Sequence, residues 1–119
     1  MLSKTHRLPG NQIPQVLKKG KRLSFSFFNL VVLETRTQNL ESSSARFTFV
    51  VSKKVSKKAV VRNRTKRLLS ESVRLLMPQI KKGDDIIFFA KKALTKEKLQ
   101  DVLPVVEKAF KKAKIFKLD

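Results

Sequence analysis

No cysteine occurs among the 119 residues, which excludes disulfides and thiolate metal sites and fits a reducing compartment. Tryptophan and tyrosine are absent too, so nine phenylalanines supply every aromatic ring. A phenylalanine fills a core or stacks on a base, and the count alone does not choose between them. Acid is scarce: nine Asp and Glu stand against 28 Lys and Arg, a net charge of +19. That excess is far beyond what solubility requires and points to nucleic acid first and an anionic membrane surface second. No apolar run approaches the roughly 18 residues of a membrane span, and the opening MLSKTHRLPG has no signal-peptide core. A soluble, cytoplasmic protein with no membrane partner is expected.

What is present is enough for one folded domain. With 41% hydrophobic residues, the chain reads as a single domain over 1–119, with 1–10 and 36–45 as its flexible segments. Asn11 caps a short helix running to about Lys19, with Pro14 in its first turn and Gly20 as its stop. Ile13, Val16 and Leu17 form its apolar stripe. Lys21 to Phe28 reads as a short strand or turn, followed by strands over Phe28–Thr35 and Arg46–Val51. Alternation sends Phe47, Phe49 and Val51 one way and Arg46, Thr48 and Val50 the other. A helix is predicted from about Lys57 to Met77, then a strand, Ile86–Ala90, apolar on both faces. That order implies a parallel crossover. A last helix, Lys96 to about Lys114, carries Thr95 as its cap, and Pro104 is expected to kink it or split it in two.

The charge is concentrated between Arg46 and Arg67, where Arg46, Lys53, Lys54, Lys57, Lys58, Arg62, Arg64, Lys66 and Arg67 occur without one Asp or Glu between them. On a helical wheel, Val61, Thr65, Leu68, Leu69, Ser72, Leu75 and Leu76 share one arc, and the rest is cationic. Lys57 and Lys58 stand in the predicted first turn, where the helix dipole is already positive. An anion docked there relieves both charges at once.

Little suggests chemistry by the protein itself. The single histidine, His6, has no metal-binding neighbour in sequence and reads as a solvated side chain. Asp84 and Asp85 read as a solvated pair at the entry to a strand rather than as an acid/base or metal site. Ser52, Ser56, Ser70 and Ser72 lack the glycines of a nucleophile elbow.

At SKKVSKKAVVRNRTKRLLSE the pattern ceases to be generic. Ser52–Glu71 resembles the signature of the bacterial ribonuclease P protein subunit, in which Arg62-Asn63-Arg64-Thr65-Lys66-Arg67 fits RNRxKR. Ser52-Lys53-Lys54, Ala59-Val60-Val61, Arg7-Leu8, Gly20 and Ala90-Lys91-Lys92 extend the similarity over nearly the whole chain. The resemblance implies an α/β fold of the α+β sandwich kind: a small mixed four-stranded sheet, element order α-βββ-α-β-α, and a left-handed βαβ crossover. It also implies a ribonucleoprotein enzyme whose catalytic RNA, with Mg²⁺ bound mainly through that RNA, removes the 5′ leader of precursor tRNA. By the same similarity Arg62, Asn63, Arg64 and Arg67 face the catalytic RNA, and Lys53 and Lys54 add phosphate contacts. Lys66 matches a position beside the substrate leader, and Ile13, Leu17, Asn29 and Val31 match a cleft for it. Family members often carry aromatics where Ile13, Leu17 and Val31 stand, and an arginine where Ser70 stands. A basic ribosomal or RNA-chaperone protein without enzymatic role is the alternative that the same size and charge would suit; a nuclease acting alone is another.

Overall fold

The computed structural model describes residue 2 and residues 4–34 and 45–117. Its helices are α1 (Ile13–Lys19), α2 (Ala59–Leu76) and α3 (Leu99–Lys112); its strands are β1 (Lys21–Ser24), β2 (Phe28–Glu34), β3 (Arg46–Val50) and β4 (Asp84–Ala90). The strands form one mixed sheet in the order β1-β2-β4-β3. β1–β2 and β2–β4 pair antiparallel, whereas β3 and β4, joined through α2, pair parallel as the strand-helix-strand order requires. The expected four-stranded mixed sheet with its three helices is therefore present.

Alternation along the strands divides the molecule into two unequal layers. Phe28, Leu30, Val32, Phe47, Ile86 and Phe88 point to one face and make the main core with Leu69, Val73, Val102, Val106 and Phe110 of α2 and α3. Ring pairs knit that core: Phe28–Phe88 at 5.0 Å, Phe49–Phe88 at 5.3 Å and Phe88–Phe110 at 5.9 Å. On the opposite face Val16 of α1 joins Leu8, Val31 and Ile87 in a much smaller cluster. The short α1 can cover only part of that face.

Gly20 sets how closely α1 approaches the sheet. Its φ of −75° is open to any residue, but a β-carbon there would stand 2.5 Å from the Val16 carbonyl oxygen and 2.6 Å from Val31 Cγ1. Close approach, and not a left-handed turn, is what this glycine supplies. Gly83, at φ 95°, does make the left-handed turn into β4.

Within 1–10, where described, Leu2 and Leu8 are buried, Arg7 bridges to Phe47, and the Leu8 N–H donates to the Phe47 carbonyl at 2.8 Å. Several expectations require correction. His6 is half-buried, its Nδ1 donating to the Ala45 carbonyl at 3.0 Å. Of the expected flexible segment 36–45, only Ala45 falls within the described residues, and it is buried. Asp84 and Asp85 are buried as well. Asp85 accepts two hydrogen bonds of 2.8 Å from Arg46 Nε and Nη2, and Arg46 also donates to Gln12 Oε1 at 2.6 Å, so the start of α1 is tied to the sheet. Arg46 is thus not among the charges awaiting a polyanion. Asp84 lies opposite Glu34 in register, with Lys81 Nζ 3.3 Å from Glu34 Oε1 and 3.7 Å from Asp84 Oδ2. Burial pushes the Asp84 carboxyl up to about 6.

The helix limits also move. α2 begins at Ala59, so Lys57 and Lys58 precede it, and its buried side chains are Thr65, Leu69, Ser70, Ser72, Val73 and Leu76. Leu75, assigned to the packed arc, is 43% exposed. The arc is displaced because α2 packs on both the sheet and α3, which a single-stripe wheel does not represent. Thr95 does not cap α3: its hydroxyl donates to the Lys92 carbonyl inside a 3-10 turn, and Lys98 holds the cap position.

Candidate RNA interface

The loop before α2 is built by its own hydrogen bonds. The Val55 N–H donates to the Ser52 carbonyl at 3.0 Å, and the Lys58 N–H donates to Ser56 Oγ at 3.2 Å. Arg62, one turn into α2, folds back on this loop, and its Nη1 donates to the carbonyls of Ser56 at 3.0 Å and Lys57 at 2.9 Å. Those bonds occupy both Nη1 protons and leave Nε and Nη2 to donate elsewhere. Arg62 therefore fixes where Lys57 and Lys58 stand, while keeping part of its fork for a phosphate.

Around this anchor Lys53, Lys54, Lys57, Lys58, Asn63, Arg64 and Arg67 are all exposed. The first turn of α2 contains no acidic residue and no side chain caps it. Its free N–H groups and the preceding lysines thus present positive potential in one direction. Val60, 80% exposed at the same end, adds an apolar contact point among the cations. Further along, Arg64 Nη2 donates to the Glu97 carbonyl at 3.4 Å. Arg64, Arg67 and Lys98 line one groove of 460 Å³ between α2 and the start of α3. Glu71, at the end of this groove, is engaged by Arg74, whose hydrogen bonds hold its carboxyl below the usual range. Lys98 is a cation of this surface that the motif did not single out.

Ile13, Leu17, Asn29 and Val31 gather elsewhere, on the sheet face beside α1. Asn29 is exposed, Ile13 and Leu17 are half-buried against the small apolar cluster, and Val31 is 1% exposed beneath them. Next to them a pocket of 370 Å³ is lined by Arg22, Leu23, Ser24, Asn29, Val31 and Phe89. Phe89 lies in a strand expected to be buried on both faces, yet it is half-exposed on this one. Strand register would have been the signal for it. Lys66 joins neither group: half-buried on α2, it lines a smaller pocket with Leu8, Phe47, Thr48 and Ser70 along the outer side of β3. Ser70 is itself buried, its hydroxyl donating to the Arg67 carbonyl at 3.1 Å.

Among the described residues, no three His, Cys, Asp or Glu side chains gather where they could hold a metal ion, and no helix is long and apolar enough to cross a membrane.

Residues 2–114 match the family model described as Ribonuclease P. A ribonuclease P protein component from Clostridium acetobutylicum is 37% identical over 112 residues, covering 92% of this chain and 90% of that protein. One from Microcystis aeruginosa is 45% identical over 83 residues, covering 69% of this chain and 68% of that protein. Two solved structures share the fold. The Staphylococcus aureus RNase P protein superposes with a TM-score of 0.80 at 25% identity, covering 94% of this chain and 98% of that one. The Thermotoga maritima RNase P protein gives 0.76 at 25% identity, covering 89% and 96%.

Proposed function

The chain belongs to the ribonuclease P protein-component family, and from that membership we propose how its two surfaces divide the work of 5′ tRNA maturation. As a family member it is the protein subunit of an endoribonuclease ribonucleoprotein and has an RNA partner. The catalytic RNA binds the loop and outer face of α2, through Lys53, Lys54, Lys57, Lys58, Arg62, Asn63, Arg64 and Arg67. The 5′ leader of precursor tRNA runs over the sheet face beside α1, where Asn29 is exposed and Ile13 and Leu17 form an apolar bank over the buried Val31, and Lys66, apart from this group on the outer side of β3, addresses phosphates beyond that strand.

The observation that carries this reading is the undiluted cationic surface around Arg62. Seven exposed polar or cationic side chains share it, and among the described residues no ion pair joins those of the loop to a carboxylate. Arginine forks engage phosphate oxygens bidentately, the lysines act as point charges, and Asn63 can both donate and accept toward a base or ribose. Such contacts position a nucleic acid; they do not cleave it. The hydrolysis is assigned to the RNA and to Mg²⁺ held by the RNA, as the resemblance to the family implies. The protein contributes affinity and orientation, and it lowers the Mg²⁺ needed by replacing counterions along the RNA. The site of action is the cytoplasm.

Reconstitution tests this. Adding the protein to a bacterial ribonuclease P RNA at low Mg²⁺ is expected to accelerate 5′ maturation of a precursor tRNA. A basic ribosomal or chaperone-like protein would leave the rate unchanged, and a self-sufficient nuclease would cut without the RNA.

A further inference from the structure

Ser24, Asn29, Phe89 and Val50 are in register across all four strands. At ~4.8 Å between strands, the row spans roughly 14 Å of the sheet face. This is the half of the face that α1 does not cover, and Phe89 stands near its middle. Its ring rests on the small apolar cluster under α1 and stays half-exposed. The ring pairs of the main core link Phe25, Phe28, Phe47, Phe49, Phe88, Phe110 and Phe116, all on the other side of the sheet.

Polar groups around Phe89 are held in place. Arg22 Nη2 donates to the Leu17 carbonyl at 3.2 Å, which sets its guanidinium at the rim of the 370 Å³ pocket. Lys91 Nζ donates to Ser24 Oγ at 3.2 Å and to the Phe25 carbonyl at 2.5 Å, bringing an ammonium to the same end. A half-exposed aromatic ring bordered by an amide and two anchored cations has the chemistry of an unpaired nucleotide's site. The ring stacks on the base, the amide addresses its edge, and the cations take the adjoining phosphates. A paired base cannot present its face in this way, which excludes a duplex as the occupant.

We propose that Phe89 is the stacking platform for one unpaired nucleobase of the precursor's 5′ leader, with Asn29 at the base edge and Arg22 and Lys91 on the flanking phosphates. The proposal rests on the leader-binding reading above and assigns the aromatic contact to β4. Ile13, Leu17 and Val31, being aliphatic, do not have to supply it.

The test uses the reconstituted protein–RNA holoenzyme and compares its dissociation constants for a precursor tRNA carrying a leader of several nucleotides and for the same tRNA without one. Phe89→Leu is expected to weaken binding of the leader-bearing RNA roughly 5- to 50-fold and to leave the leaderless RNA unchanged. Phe89→Tyr, which keeps the ring, recovers the loss. Abasic substitution along the leader should find one position whose loss mimics Phe89→Leu and is not additive with it. If the unmodified holoenzyme binds both RNAs equally, the leader-binding reading itself falls. If it discriminates and Phe89→Leu discriminates just as well, or if every abasic position behaves alike, the stacking proposal falls and the leader reading stands. Equal weakening toward both RNAs also overturns the proposal, because the residue would then act on the fold or on holoenzyme assembly.

Discussion

The outer face of α2 and the open half of the sheet are built from opposite materials. The first is a helix surface of exposed cations whose positions follow from a period of 3.6 residues and one back-folded arginine. The second is a hydrogen-bonded floor of strands, with a half-exposed ring and two anchored cations at its edges. Charge gives affinity without demanding shape, so the α2 surface suits a large folded RNA. A floor with one ring suits a single unpaired base. The two surfaces should therefore answer differently to salt, to truncation and to pH.

Salt should give the largest contrast. With about six to eight phosphates engaged, the affinity for the catalytic RNA falls with a log–log slope near −5 to −7, a loss of about 10³ to 10⁴ between 50 and 200 mM. Filter binding measures this, and a slope near −2 would refute the assignment of the α2 surface. The leader's share of affinity, which rests on stacking and on only two or three cations, should change far less over the same range.

Adjacent phenylalanines separate the two faces of the sheet. Phe88→Ala removes the ring at the centre of the main core and should cost about 3–5 kcal/mol of stability by denaturant titration. Phe89→Leu should cost under about 1 kcal/mol, because its ring is half-exposed and the replacement keeps most of the apolar contact. Similar losses at both positions would mean that the α1 face is as closed as the other.

On α2 itself, Arg67→Ala should weaken assembly with the catalytic RNA by roughly 1–3 kcal/mol and make the salt slope shallower by about 1. Circular dichroism should remain unchanged, since the side chain is exposed. A variant that unfolds would show that this face packs.

The smallest effect concerns the buried end of β4. With its carboxyl raised to about 6, Asp84 holds a proton in the folded state that the unfolded chain releases near pH 4. Its contribution to stability is therefore complete below about pH 4 and lost as pH rises through about 6. Asp84→Asn, neutral throughout, should be more stable than the parent at pH 7.5 by about 1 kcal/mol, after allowance for screening by water and by Lys81. That gain should vanish in thermal melts at pH 4; a gain independent of pH would contradict the titration.

Much of this was legible from residue order because it depends on local periodicity. The strand over Arg46–Val50 falls within a residue of its expected end, its inward and outward side chains are as alternation assigns them, and β3 and β4 pair parallel. The exposure of Asn63, Arg64 and Arg67 followed from the wheel. The misjudged positions depend on what stands opposite. Leu75, assigned to the packed arc, is exposed and Val73, which the wheel did not assign, is buried, because α2 touches two partners. Asp85 is buried because Arg46, 39 positions away in sequence, completes its hydrogen bonds.

By itself the sequence determined the element order, the mixed sheet, the cationic helix face and the family, since each is written in short-range patterns or in one contiguous motif. Only the tertiary structure decided that Arg46 is a structural charge, that Gly20 marks a close approach, and that Phe89 faces the side of the sheet opposite the core. Those depend on register and packing between distant segments, where a shift of one residue turns a side chain from the core to solvent.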